Sequence, residues 1–138
     1  MSVINMQTMR YINLLDRVSN VKTNTCFNYN NTILFAVPRH FVSKAIGPAA
    51  TNVKNLQQKL GKRIRIISLP KDIFDAERFI QAVVEPTRFK SVEIQENTII
   101  ITAGGKQSKA ALLGRNKQRL EELKIIIDAV FGKEINII

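Results

Sequence analysis

Apolar positions along this chain follow helical and strand rhythms in turn, and the same order of rhythms occurs twice. Met6, Met9, Ile12, Leu15 and Val18 fall near helical spacing and predict a helix over about 5–19. Residues 22–29 and 32–38 read as a hairpin, with Asn28, Tyr29, Asn30 and Asn31 supplying turn chemistry. A helix over about 39–46, a turn at Gly47 and a helix over about 50–60 follow, the last closed by Gly61. Arg63–Leu69 alternates charge and bulk as a strand, and Pro70 marks a boundary. Asp72 is placed to cap a helix whose apolar face is Ile73, Ala76, Ile80 and Val83, ended by Glu85 and Pro86. Residues 90–95 and 98–103 form a second hairpin around Glu96 and Asn97. Helices over about 106–113 and 117–131 then flank Gly114, Gly132 closes the second, and Ile135–Ile138 is a last strand.

The two runs are copies. Gly47 and Gly114 are 67 positions apart, and at that offset Val53, Leu56 and Leu60 fall on Leu120, Leu123 and Ile127. Gly61 meets Gly132 at an offset of 71, because the second copy is four residues longer there. An internal repeat fixes the architecture ahead of local propensity. The expected fold class is α+β: two small domains, 1–70 and 71–138, each α-β-β-α-α-β, with a three-stranded sheet and helices packed on one face. Halves this small bury a modest core, so they are expected to pack together as one rigid unit.

Charge separates the copies. Residues 17–71 hold ten Lys and Arg and no acid, and residues 72–138 hold ten bases and ten acids, so the formal +10 lies in the first half. In the second half, residues 97–120 carry five bases and no acid. Such surfaces attract phosphate polymers without reading their sequence.

The glycine turns carry the candidate chemistry. A glycine takes a positive φ without a Cβ clash. The helix after it opens with unpaired N–H groups and the positive end of its dipole, which suits a phosphate. Clamped backbone with splayed bases is how single-stranded RNA is recognised. A plain helix cap is the alternative for a single glycine; two glycines in matching basic contexts favour the clamp.

An α-β-β-α-α-β unit with a glycine turn between two helices resembles the type II K-homology domain. Two in tandem, with Ala45-Ile46-Gly47, then Asn52-Val53-Lys54-Asn55-Leu56 and Leu60-Gly61-Lys62-Arg63-Ile64, resemble the archaeal NusA-like transcription factors over nearly the whole chain. The resemblance implies RNA binding during transcription elongation or termination, without catalysis or cofactor. It implies single-stranded RNA and RNA polymerase as partners. The candidate RNA-binding residues at the first turn are Lys44, Ile46, Gly47, Pro48, Ala49, Ala50, Asn52, Val53 and Lys54. At the second they are Lys109, Leu113, Gly114, Arg115, Asn116, Lys117, Arg119 and Leu120.

Both turns depart from the family pattern, Gly-Lys-Gly-Gly at the first and Gly-Arg-Asn-Gly at the second. Pro48 has no N–H to offer, Ala49 brings no charge to the turn, and Ala50 adds a methyl group near the phosphate path. The second turn keeps Arg115 and Asn116 but places Lys117 at the missing glycine. The second is therefore expected to be the better clamp. Two other settings stay open: a protein-interaction module whose turns no longer grip RNA, and a ribosome-associated or RNA-processing factor.

Other chemistry is thin. Cys26 is the only cysteine and His40 the only histidine, so no metal cluster or nucleophile–base set can be assembled. No apolar run approaches the roughly 20 residues of a membrane span, and no signal peptide is expected. A lone cysteine fits a cytoplasmic protein, and a monomer is expected. Phe27, Tyr29, Phe35 and Phe41 are the aromatics able to stack bases, although hairpin alternation assigns most of them to the core.

Overall fold

Ile33, Leu34, Phe35, Ala36 and Val37 form an unbroken apolar run, as a strand enclosed on both faces should. In the computed structural model, which describes residues 5–138, they lie on the central strand of a three-stranded sheet. That strand, β2 (Thr32–Val37), pairs antiparallel with β1 (Thr25–Tyr29) and parallel with β3 (Arg63–Ser68). Every β2 residue is buried. One face, carrying Cys26, Ile33, Phe35, Val37 and Ile64, packs with Tyr11 and Leu15 of α1 (Met6–Ser19), Ala45 of α2 (Val42–Ile46) and Leu56 of α3 (Thr51–Leu60).

The first helix presents a different face from the one its methionines suggest. Thr8, Tyr11, Leu15 and Ser19 are buried, whereas Met6 and Met9 stand in solvent. Steps of three residues fall short of a turn by about 60° each, so the stripe Met6–Met9–Ile12–Leu15–Val18 winds around the helix. Steps of three, four and four keep the buried set on one side. A reciprocal cap fixes the start: Thr8 N–H donates to Asn5 Oδ1 at 2.9 Å, and Asn5 N–H donates to Thr8 Oγ1 at 3.0 Å.

The chain divides into two compact units between Leu69 and Pro70. The second unit repeats the element order of the first. Its helix α4 (Ala76–Val84) is preceded by a 3₁₀ turn over Ile73–Asp75, so the α-helix starts later than Asp72 suggests. Asp72 does cap that turn, accepting from Phe74 N–H at 3.0 Å. The helix stops before Glu85, which precedes a cis Pro86. Strands β4 (Ser91–Ile94), β5 (Thr98–Thr102) and β6 (Glu134–Ile137) form the second sheet, with the same antiparallel-then-parallel order. Ile99, Ile101, Ile135 and Ile137 turn to the core, and Phe79 of α4 meets Phe131 edge-on at 5.8 Å. Helices α5 (Lys106–Leu113) and α6 (Gln118–Phe131) complete the unit, burying Leu112, Leu123, Ile126 and Ile127. The class is α+β, with two three-stranded sheets.

Candidate nucleic-acid interface

The helices α2 and α5 stop for the same reason. Gly47 has φ 81° and ψ 164°, and Gly114 has φ 74° and ψ 174°. The N–H of Gly47 still bonds Ser43 O at 3.0 Å, and that of Gly114 bonds Ala110 O at 2.9 Å. Both positions require glycine twice over. Their positive φ disfavours any side chain, and an added Cβ would stand 2.9 Å from Asn52 Cγ in one case and 2.7 Å from Arg119 Cγ in the other.

The second and third residues after each glycine also coincide. Ala49 and Ala50 take φ 53° and 59°; Asn116 and Lys117 take φ 55° and 57°. Each turn is closed by an N–H donated back to the glycine carbonyl at 3.1 Å, from Ala50 in one and Lys117 in the other. The left-handed backbone at the last turn position is thus carried by alanine in one copy and lysine in the other. α3 and α6 then start directly from these residues, so each helix N-terminus opens at the turn.

One more bond spans each turn. Asn52 Nδ2 donates to Lys44 O, and Arg119 Nη1 donates to Ala111 O, both at 3.1 Å and both eight residues back. The acceptors are carbonyls near the ends of α2 and α5, groups a helix leaves unpaired. Asn52 and Arg119 thus have a bracing role that reading them only as RNA contacts misses. The signal was present in the sequence, since the two residues match at the repeat offset of 67.

The candidate residues sort by exposure. Pro48, Ala49, Arg115, Asn116 and Lys117 are exposed at the turns, as are Lys44, Lys54 and Lys109 beside them. Ile46, Leu113, Val53 and Leu120 are half-buried, and Val53 packs against the first core. The two turns place their charge differently. The second has Arg115 and Lys117 within the turn. The first has none there and is flanked by Lys44 and Lys54. The position matching Lys54 is Glu121, which pairs with Lys124 at 3.4 Å.

The aromatics separate cleanly. Phe27, Tyr29 and Phe35 are buried in the first unit. Phe41 is 36% exposed, and the exposed His40 ring lies against it with centroids 4.2 Å apart. Cys26 is buried as well, and burial pushes its thiol up to about 12. Among the described residues no three His, Cys, Asp or Glu side chains stand together as a metal site, and no helix is long and apolar enough to cross a membrane.

No family model matches the chain. It is 26% identical over 125 residues to the probable transcription termination protein NusA of Halococcus morrhuae, covering 89% of this chain and 88% of that protein. It is 25% identical over 119 residues to the protein of the same description from Methanocaldococcus jannaschii, covering 83% of this chain and 63% of that one. The solved crystal structure of APE1850 matches 98% of this chain and 100% of its own with a TM-score of 0.69 at 22% identity, a likeness of fold. Together with the repeated turns, these similarities support a distant NusA-like relationship for the chain.

Proposed function

We propose that the chain binds single-stranded RNA through its two glycine turns, as a non-catalytic NusA-like factor acting beside the transcribing RNA polymerase. In this reading residues 1–70 and 71–138 are two type II K-homology domains. One observation carries it: the two turns share φ values at matching positions and the same closing bond, and both open onto a helix N-terminus. An approaching phosphate there meets the positive end of a helix dipole and the neighbouring bases. The acid-free surface of residues 17–71 supplies long-range attraction. The relatives' description as transcription termination proteins supports a setting in transcription.

The reading is tested by titrating labelled single-stranded and duplex RNA with the full chain at several salt concentrations. Contact with about 3–5 phosphates gives a slope of log K against log salt of roughly −2 to −3.5 on single strands. Binding is expected in the micromolar range at moderate salt and weaker for duplex. No RNA binding at low salt would remove the proposal and leave the protein-interaction module.

A further inference from the structure

We propose that Phe41, with His40 and Lys44 beside it, forms a base-stacking subsite for single-stranded RNA next to the first turn. The proposal rests on the RNA-binding reading above and adds to it a residue and a mode of contact.

Phe41 differs from the other aromatics of the first hairpin and its surroundings. They fill the core, whereas Phe41 lies at the entry to α2 with 36% of its surface exposed. The His40 ring leans on it at an interplanar angle of 43°, and Lys44 Nζ lies 5.9 Å from its ring centroid. Two exposed rings and an ammonium group therefore occupy one short surface. A nucleobase offers a π-face to such rings whatever its identity, and the next phosphate offers a partner for the ammonium. The segment from Arg17 to Lys71 contains no carboxylate to repel that phosphate.

Its placement joins the patch to the turn. Lys44 belongs to α2, and its carbonyl accepts the bond from Asn52 that braces Gly47. Phe41 stands six residues before Gly47, roughly 9–10 Å along the helical segment, within reach of a few nucleotides of one strand. The second unit has no counterpart beside its turn, since Ser108 and Ala111 hold the positions matching Phe41 and Lys44. The half with no base inside its turn is thus the half with a stacking surface beside it.

The chain has no tryptophan, so Phe41→Trp introduces a single reporter. The full chain, Phe41→Leu, Phe41→Trp and Lys44→Gln are titrated with oligouridylate and with an abasic oligonucleotide of equal length and charge. Phe41→Leu should weaken oligouridylate binding roughly fivefold or more and leave abasic binding within about twofold. Phe41→Trp should show emission quenched by oligouridylate and unmoved by the abasic strand. Lys44→Gln should weaken both and lower the salt slope by about one. Unchanged oligouridylate affinity in Phe41→Leu, or emission in Phe41→Trp that ignores the bases, overturns the subsite while RNA binding stands. Should Phe41→Leu unfold, the Phe41→Trp emission decides alone. Absence of RNA binding by the unaltered chain removes the RNA-binding reading, and this subsite with it.

Discussion

Asn52 and Arg119, matched at the repeat offset, brace their turns with the same bond from different side chains. Each reaches eight residues back, to Lys44 O and Ala111 O, and each closes over the glycine between. An amide and a guanidinium reach the same place because each needs only one N–H there. The guanidinium has further N–H groups to offer a phosphate, so Arg119 can brace and bind together.

Removing the brace loosens the turn before it unfolds the domain. Asn52→Ala should cost about 0.5–1 kcal/mol, the net worth of a partly exposed hydrogen bond. Arg119→Ala should cost more, because its aliphatic stem also lies over Gly114. Denaturant midpoints measure the loss. Amide exchange should quicken around residues 46–51 in the first variant and 113–118 in the second, and stay unchanged in both sheets. Uniform acceleration across a whole unit would contradict a local brace.

The left-handed residues predict gains. An L-residue other than Gly, Asn or Asp pays roughly 1 kcal/mol or more at such φ values, and Ala50 and Lys117 both sit there at φ 59° and 57°. Replacing each by glycine relieves that strain and adds unfolded-state entropy, for an expected net gain of about 0.5 kcal/mol per site. Ala50→Gly should raise the denaturation midpoint and leave the RNA salt slope alone. Lys117→Gly should raise the midpoint and reduce the slope by about one. A lower midpoint in both variants would show that the turns are not strained.

Much of this was legible in the chain and some was not, for identifiable reasons. The element order and both glycine turns could be read because Gly47 and Gly114 repeat with their flanks, and a repeat is independent of which face packs. The buried face of α1 could be read only in part: Leu15 is buried with Ile12 and Val18 packed beside it, but a three-residue spacing winds around the helix and carries Met6 and Met9 into solvent. Docking against α3 and the sheet added Tyr11 to that face. The late start of α4 was hidden because Asp72 caps a 3₁₀ turn as readily as an α-helix. At the site, Pro48 and the missing second glycine suggested a weakened first clamp and said nothing of the backbone. Ala50 and Lys117 take left-handed φ between braced helices, and sequence at the turn alone carries no trace of that constraint.

Cys26 gives a prediction at alkaline pH. Desolvation raises its thiol from an ordinary value near 9 to about 12. The folded state therefore holds this proton more tightly than the unfolded state, and stability present below pH 9 is lost as pH rises toward 12. The loss is on the order of 1 kcal/mol per pH unit in that window. Cys26→Ala removes this contribution, so the stability difference between the two proteins should narrow steadily above pH 9. A difference independent of pH would mean the thiol ionises without penalty. Thiol reagents at pH 8 should likewise label the native chain only at its rate of opening.

Charge reversal decides which turn grips RNA. Arg115→Glu with Lys117→Glu inverts the charge inside the second turn at two exposed positions, leaving Leu112, Leu123 and the Arg119 brace untouched. The fold should survive, since exposed substitutions away from packing cost little. RNA affinity should fall at least tenfold, about 1.4 kcal/mol. The matched change at the first turn is Ala49→Glu with Lys54→Glu, again at exposed positions. Its new carboxylates lie near a helix N-terminus, where the dipole tolerates them, and Pro48 already denies that turn an N–H. The first-turn variant should therefore lose less affinity than the second. Losses equal in both, or larger at the first turn, would show that the charge concentrated in residues 17–71, and not the chemistry within the turns, decides where RNA binds.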